Sequence, residues 1–130
     1  MATIDDFKHI EMRVGTILVA EYIEGADKLL RLEVDFGPKK GEEKSGNVAD
    51  AVGEVSVAEE RDIRQILSGI REYYSPEQLV GKQCPFVTNL EPRTMRGLVS
   101  HGMILAVKTA DGAAVLLHPE KPVDSGSALS

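Results

Sequence analysis

The clearest alternation in the chain is at Leu30, Leu32, Val34 and Phe36, which are separated by Arg31, Glu33 and Asp35. A period of two sends the four apolar side chains to one face and the three charged ones to the other, the pattern of a strand with one wet side. Before it, Arg13 to Ile23 carries Val14, Ile17, Leu18, Val19, Ala20 and Ile23, apolar on both faces near its middle, and predicts a central strand. Glu24-Gly25-Ala26-Asp27 reads as the turn between the two. Gly37-Pro38-Lys39-Lys40-Gly41-Glu42-Glu43 and Ser45-Gly46-Asn47 then concentrate breakers and charge, so an exposed acidic insertion is expected at about 38–62. Within it Val52, Val55 and Val57 suit a hairpin arm, and a loop fits the same residues equally well.

Beyond the insertion, Ile63 to Ile70 predicts a third strand. A short helix follows: Ser75 as cap, Pro76 at its first position, Gln78 to complete a capping box and Gly81 to end it. Lys82 to Leu90 predicts a fourth strand with Cys84, Phe86, Thr88 and Leu90 on one face and Pro85 at a bulge or an edge. Residues 90–102 read as a long polar loop. Met103–Lys108 and Ala113–Leu117 bracket Thr109-Ala110-Asp111-Gly112, where Asp-Gly predicts a tight two-residue hairpin turn. At the N-terminus, Thr3 to His9 is expected as one amphipathic turn capped by Thr3, with a packing role.

Three strands, a short helix and two or more further strands make an all-β chain laid out as an OB-fold, a five-stranded Greek-key barrel whose helix sits between strands three and four. An SH3-like barrel lacks that helix. The OB-fold ligand face is built from strands two and three, flanked by the loop between strands one and two and the loop between strands four and five. Here those loops are residues 24–28 and 90–102.

A length of 130 residues fits one domain over 1–130. No Trp, three Phe and three Tyr leave the core to Val, Ile, Leu and Ala. Cys84 is the only cysteine, which excludes an internal disulfide and suits a small buried hydrophobe. The apolar stretches fall far short of the roughly 20 residues of a membrane-spanning helix, and the N-terminus shows no basic segment followed by an apolar run, so a cytoplasmic home is expected. A net charge of −6 runs against a nucleic-acid partner, whose phosphates are bound largely through Lys and Arg. Its distribution reverses that reading: over 63–103, Arg64, Arg71, Lys82, Arg93 and Arg96 outnumber Glu72, Glu77 and Glu91.

The candidate chemistry lies in the same stretch. Arg93 and Arg96 can fork onto phosphate oxygens, Ser100 can bond a phosphate or ribose, and Asn89 can read a base edge or a 2′-hydroxyl. Met95 and Met103 offer soft contacts to a base or sugar, and the fold would bring Lys28 of the first loop to the same rim. The competing reading of the same residues is a solvated loop with buried methionines. His9, His101 and His118 stand singly, so no metal is expected. No Gly-x-Ser-x-Gly elbow or P-loop occurs, so neither a catalytic site nor a cofactor is expected.

These residues also resemble a family. Ile4-Asp5-Asp6-Phe7, Met12-Arg13-Val14-Gly15, Gly25-Ala26-Asp27-Lys28-Leu29, Ser68-Gly69-Ile70, Tyr74 to Lys82, Asn89-Leu90-Glu91-Pro92, Met95-Arg96-Gly97 and Ser100-His101-Gly102-Met103, in this order, are similar to the tRNA-binding domain. That domain is found as a free-standing dimeric structure-specific tRNA-binding protein and at the C-terminus of many methionyl-tRNA synthetases. The resemblance covers nearly everything outside 38–62. It implies a non-catalytic OB-fold homodimer that grips the outer corner of tRNA by backbone and form. The RNA contacts would fall at Lys28, Asn89, Arg93, Arg96, Ser100 and Met103, and the dimer contacts in the N-terminal segment and the strands after Met103. His101, itself a candidate tRNA contact, stands where the family often has an acidic residue, the acidic insertion is atypical, and the overall acidity implies weak, salt-sensitive binding. Two alternatives stay open: a dimeric protein-export chaperone of the same fold that binds apolar peptides, and an assembly module acting in trans with methionyl-tRNA synthetase.

Overall fold

The computed structural model describes residues 1–39 and 60–130. The alternating segment forms β2 (Leu30–Pro38), with Leu30, Leu32, Val34 and Phe36 all buried. It lies between β1 (Met12–Tyr22) and β3 (Arg61–Ser68), antiparallel to both. On its other side β1 pairs with β4 (Gln83–Val87), which pairs with a short strand at Met103–Ile104, giving the order β3-β2-β1-β4 and then that short strand. The result is a mostly β, OB-like fold: a five-stranded antiparallel sheet curled into a half-barrel. Its two edges are bridged where His101 N–H donates to the Gln65 carbonyl at 2.9 Å.

Inside the curl, Phe36 and Phe86 meet edge to face, centroids 5.3 Å apart, among Ile17, Leu30, Leu32, Val34, Ile66 and Leu79. Leu79 belongs to α2 (Pro76–Leu79), whose single turn caps the core. The Gln78 side-chain oxygen accepts from Ser75 N–H at 2.8 Å, the half of the capping box that closes the helix start. Gly15 is required by crowding, because a Cβ there would lie 2.4 Å from Val34 Cγ1.

Several expectations shift. The insertion is narrower than 38–62 at both ends: β2 runs to Pro38 and β3 starts at Arg61, with Pro38 opposite Arg61. Asp35 makes this possible, accepting from Gly37 N–H at 2.8 Å and from Arg61 Nε at 3.0 Å. Val52, Val55 and Val57 lie outside the described residues. Pro85 is in an interior strand, not at an edge. It sits opposite Val14, whose N–H and C=O turn away to Ser127 and Gly126, so no β1 partner needs the missing proline N–H. Leu90 falls beyond β4 and is exposed.

The N-terminal turn is real, α1 (Ile4–Lys8), with Thr3 Oγ1 accepting from Asp6 N–H and the Asp6 carboxylate accepting from Thr3 N–H. None of its residues is buried among the described residues, so the expected packing role is not filled there. Residues 90–102 are not a loop but contain a ribbon of β5 (Arg93–Met95) and β6 (Leu98–Ser100). The short strand at Met103–Ile104 is β7, followed by the hairpin of β8 (Ala106–Lys108) and β9 (Ala114–Leu116). Its connection spans 109–113 instead of two residues, because the Thr109 hydroxyl bonds Asp111 and accepts from Ala113 N–H at 2.9 Å, closing a wider turn.

Candidate functional site

The β5–β6 ribbon carries most of the candidate residues. Arg93 lies opposite Ser100, Thr94 opposite Val99 and Met95 opposite Leu98. The turn is Arg96-Gly97, with φ of 53° and 79°. Positive φ at both central positions is the type I′ hairpin turn, which Asn-Gly suits best, so an arginine there holds a strained backbone. Both Arg93 and Arg96 are exposed, and neither guanidinium has a hydrogen bond or ion pair among the described residues.

The ribbon is fastened to the free edge of β3 and to the Gln65 side chain on its outer face. Gln65 Nε2 donates to the Val99 carbonyl at 2.8 Å, and Leu67 N–H donates to Ser100 Oγ at 3.0 Å. Gln65 is itself oriented by Arg31 Nε at 2.6 Å, and Arg31 is bracketed by Glu21 at 2.9 Å and Glu33 at 2.7 Å. One cation between two carboxylates leaves this part of the sheet face negative, whereas the neighbouring ribbon carries the exposed charges of Arg93 and Arg96.

Lys28 reaches the same end of β3 as the ribbon. Its carbonyl accepts from Arg71 N–H, Leu30 is opposite Ser68, and the adjacent Leu67 is bonded to Ser100, which faces Arg93. Two further residues at this rim escaped the sequence reading. The Arg71 guanidinium lies 4.4 Å from the Tyr22 ring centroid and donates to the Ala26 carbonyl at 2.8 Å, with Tyr22 half exposed. Arg71 counted in the cationic stretch, but nothing local tied it to Tyr22, 49 positions away.

Two candidate side chains are committed within the fold. Ser100 is buried, and its hydroxyl accepts from Leu67 N–H and donates to the Gly102 carbonyl at 3.1 Å, so it is not presented to a phosphate or ribose. The Asn89 amide accepts from Glu11 N–H at 2.8 Å and donates to the His9 carbonyl at 2.9 Å, which ties down the N-terminal segment instead of facing a base. Met95 is half-buried in the ribbon, while Met103 is exposed on β7. His101 has both backbone groups bonded, N–H to Gln65 and C=O to Arg64, and its ring is exposed.

Behind the site, Arg13 and Arg64 converge on Asp62 and on the Phe36 ring, 5.2 and 5.4 Å from its centroid. Burial alone would raise the Asp62 carboxyl, but hydrogen bonds and charge from Arg64 and Arg13 outweigh it and hold the group below its ordinary range. Burial pushes the Cys84 thiol up to about 11, with Lys82 opposing only in part, so it stays a neutral thiol. Among the described residues no group of three or more His, Cys, Asp or Glu is placed to hold a metal ion, and no helix is long and apolar enough to cross a membrane.

The family model of the tRNA binding domain matches residues 43–128. The chain belongs to the tRNA-binding domain family. The domain is 41% identical over 128 residues to a methionine–tRNA ligase of Caldanaerobacter subterraneus subsp. tengcongensis, covering 98% of this chain and 16% of that protein. It is 43% identical over 125 residues to the methionine–tRNA ligase of Methanothrix thermoacetophila, covering 96% and 15%. The chain thus spans about a sixth of the synthetases it matches. A solved structure of a MetRS related protein from Pyrococcus horikoshii superimposes with a TM-score of 0.78 at 31% identity, covering 100% of this chain and 98% of that one. The chaperone CsaA from Bacillus anthracis gives 0.75 at 28%, covering 100% and 99%. This tRNA-binding domain therefore shares its whole architecture with proteins carrying two different functional names.

Proposed function

We propose that the chain is a non-catalytic module of the cytoplasm that binds folded tRNA at its outer corner, by backbone and shape more than by sequence. The observation that carries this reading is the pair of unpartnered guanidiniums, Arg93 and Arg96, on a ribbon fastened to the OB-fold ligand face beside Lys28. Arginine forks suit phosphate, and the negative sheet face around Glu21 and Glu33 keeps the RNA backbone to the ribbon and rim. Met103 and His101 contribute exposed surface next to them, while Ser100 and Asn89 act by shaping the ribbon and its root.

We further read the working form as a homodimer. Ile4, Phe7 and Ile10 leave an exposed apolar face on and after α1, and Val107 lies exposed opposite Val115 on the β8–β9 hairpin. Two copies of a modest cationic rim on one rigid body raise the effective concentration for a second contact. The likeness to methionine–tRNA ligases supports a module that serves such a synthetase in cis or in trans.

The likeness to CsaA favours one second reading, a chaperone that holds apolar peptides. Salt-titrated binding of whole tRNA, an unstructured RNA of equal length and an apolar peptide separates the two. Folded tRNA is expected to bind best, and changing Arg93 and Arg96 together to Ala should lower the log–log salt slope by about 1 for each phosphate the two arginines no longer neutralise. An unchanged slope removes the ribbon from the interface, and a preference for peptide overturns the RNA reading.

A further inference from the structure

Between the root of the β5–β6 ribbon and the outer face of β3 lies an open cleft of about 290 Å³, lined by Ile63, Arg64, Gln65, Leu90 and His101. Most of its polar lining is already engaged. Gln65 gives its oxygen to Arg31 and its N–H to Val99, and Arg64 is spent on Asp62 and on the carbonyls of Thr88 and His101. What is left is apolar wall and one flat ring. Ile63 is 48% exposed and Leu90 41%, and the exposed His101 imidazole has no hydrogen-bond partner among the described residues. The backbone of His101 is pinned at both ends, so the ring stands on a rigid base.

From this arrangement we propose that the cleft receives one unstacked nucleobase of the bound RNA, sandwiched by Ile63 and Leu90 and stacked on the His101 ring. The inference rests on the tRNA-binding reading and deepens it. Proteins that hold single unpaired bases do so on aromatic faces with apolar neighbours, and every base has such a face, so the pocket does not select among the four. With the Gln65 oxygen, one Gln65 N–H and most of Arg64 engaged, and only the His101 ring and one Gln65 N–H left to bond, the cleft suits a sequence-tolerant stacking contact better than the reading of base edges. Arg93 and Arg96, on the ribbon that rises from the same root, supply cations for the phosphates on either side of the inserted base. The division of labour is therefore phosphate on the ribbon and base at its foot.

The test uses the full chain and whole tRNA across a salt series, with Leu90→Ser, Ile63→Ser, His101→Ala and His101→Phe beside the double Arg93→Ala, Arg96→Ala variant. All the substituted side chains are exposed, and unchanged thermal midpoints check that each variant is folded. The Ser and Ala variants at the cleft are expected to bind roughly 5- to 100-fold more weakly with the salt slope unchanged, because they remove base stacking and leave every phosphate neutralised as before. His101→Phe should keep or exceed wild-type affinity. Cleft variants that bind tRNA like wild type, while the arginine variant loses slope, overturn the base pocket and leave the tRNA-binding reading standing. Failure of the unaltered chain to bind tRNA overturns that reading and the pocket with it. If the cleft variants lose binding of an apolar peptide and keep that of tRNA, the cleft is a peptide site instead.

Discussion

Asp62 shows how a single carboxylate supports a site it does not enter. It takes two nitrogens of Arg64 at 3.0 and 3.1 Å and one from Arg13, so Arg64 remains free to bond the carbonyls of Thr88 and His101 across the seam of the curl. The Arg13 side chain is only 9% exposed, and deleting Asp62 removes its shorter ion pair, 3.0 Å, and leaves it the longer one to Glu11 at 3.5 Å. Asp62→Ala is expected to cost roughly 2 kcal/mol, below the range for a fully buried pair because Asp62 is partly exposed; urea unfolding at pH 7 measures it. The pH dependence follows from the sign of the shift. A carboxyl held below its ordinary value of 3.8 contributes stability that is complete above that value and is lost as pH falls through the lower folded value. Wild-type unfolding midpoints should therefore drop below about pH 4, and Asp62→Asn should lack that part of the drop.

At the scale of elements, the ribbon is both the main departure from a simple strand-and-loop reading and the part with a functional conflict built in. Residues 90–102 carry no Asn-Gly or Asp-Gly to announce a hairpin; the turn is Arg96-Gly97, and three-residue strands are too short to show a period of two. A hairpin forms all the same because β3 supplies partners for Val99, Ser100 and His101 that only the folded sheet brings within reach. Arg96→Gly should relieve the left-handed backbone and raise stability by about 0.5–1 kcal/mol while weakening tRNA binding, a trade measured by thermal unfolding and filter binding on the same variant. A loss of stability would show that the arginine side chain makes a supporting contact in solution. At 109–113 the mismatch runs the other way: Asp-Gly is present, but the Thr109 hydroxyl captures Asp111 and Ala113 and widens the turn.

For the whole molecule, residues 126–129 complete the sheet beside β1. Residues 126–129 lie along the first half of β1, with Gly126 N–H donating to Val14 at 2.7 Å and Leu129 N–H to Met12 at 3.0 Å, on the side that β2 leaves open. Gly126 is at φ 92°, where an added Cβ would sit 2.1 Å from the Phe36 carbonyl oxygen, so only glycine fits. Among the described residues, the apolar side chains of α1 and of the β8–β9 hairpin, such as Phe7, Val107 and Val115, stay exposed. Val107→Asp and Phe7→Glu are each expected to shift sedimentation from dimer toward monomer with little change in monomer fold. A wild-type chain that sediments as a monomer at micromolar concentration would defeat the dimer.

The period-two run of β2, the strand–helix–strand order and the capped single-turn helix were legible from the chain alone, because each is specified by neighbours a few positions apart. So was the cationic character of the stretch that holds Arg93 and Arg96. Which side chains remained available was not legible. Ser100 and Asn89 are suitable donors and acceptors in isolation, and only long-range partners, Leu67 for one and His9 and Glu11 for the other, remove them from the surface. The same long-range pairing satisfied Gln65 and Arg64, left the His101 ring uncovered and set Tyr22 under Arg71. A residue's type fixes what it can bond, but which of those bonds the fold has already used is decided by partners tens of positions away.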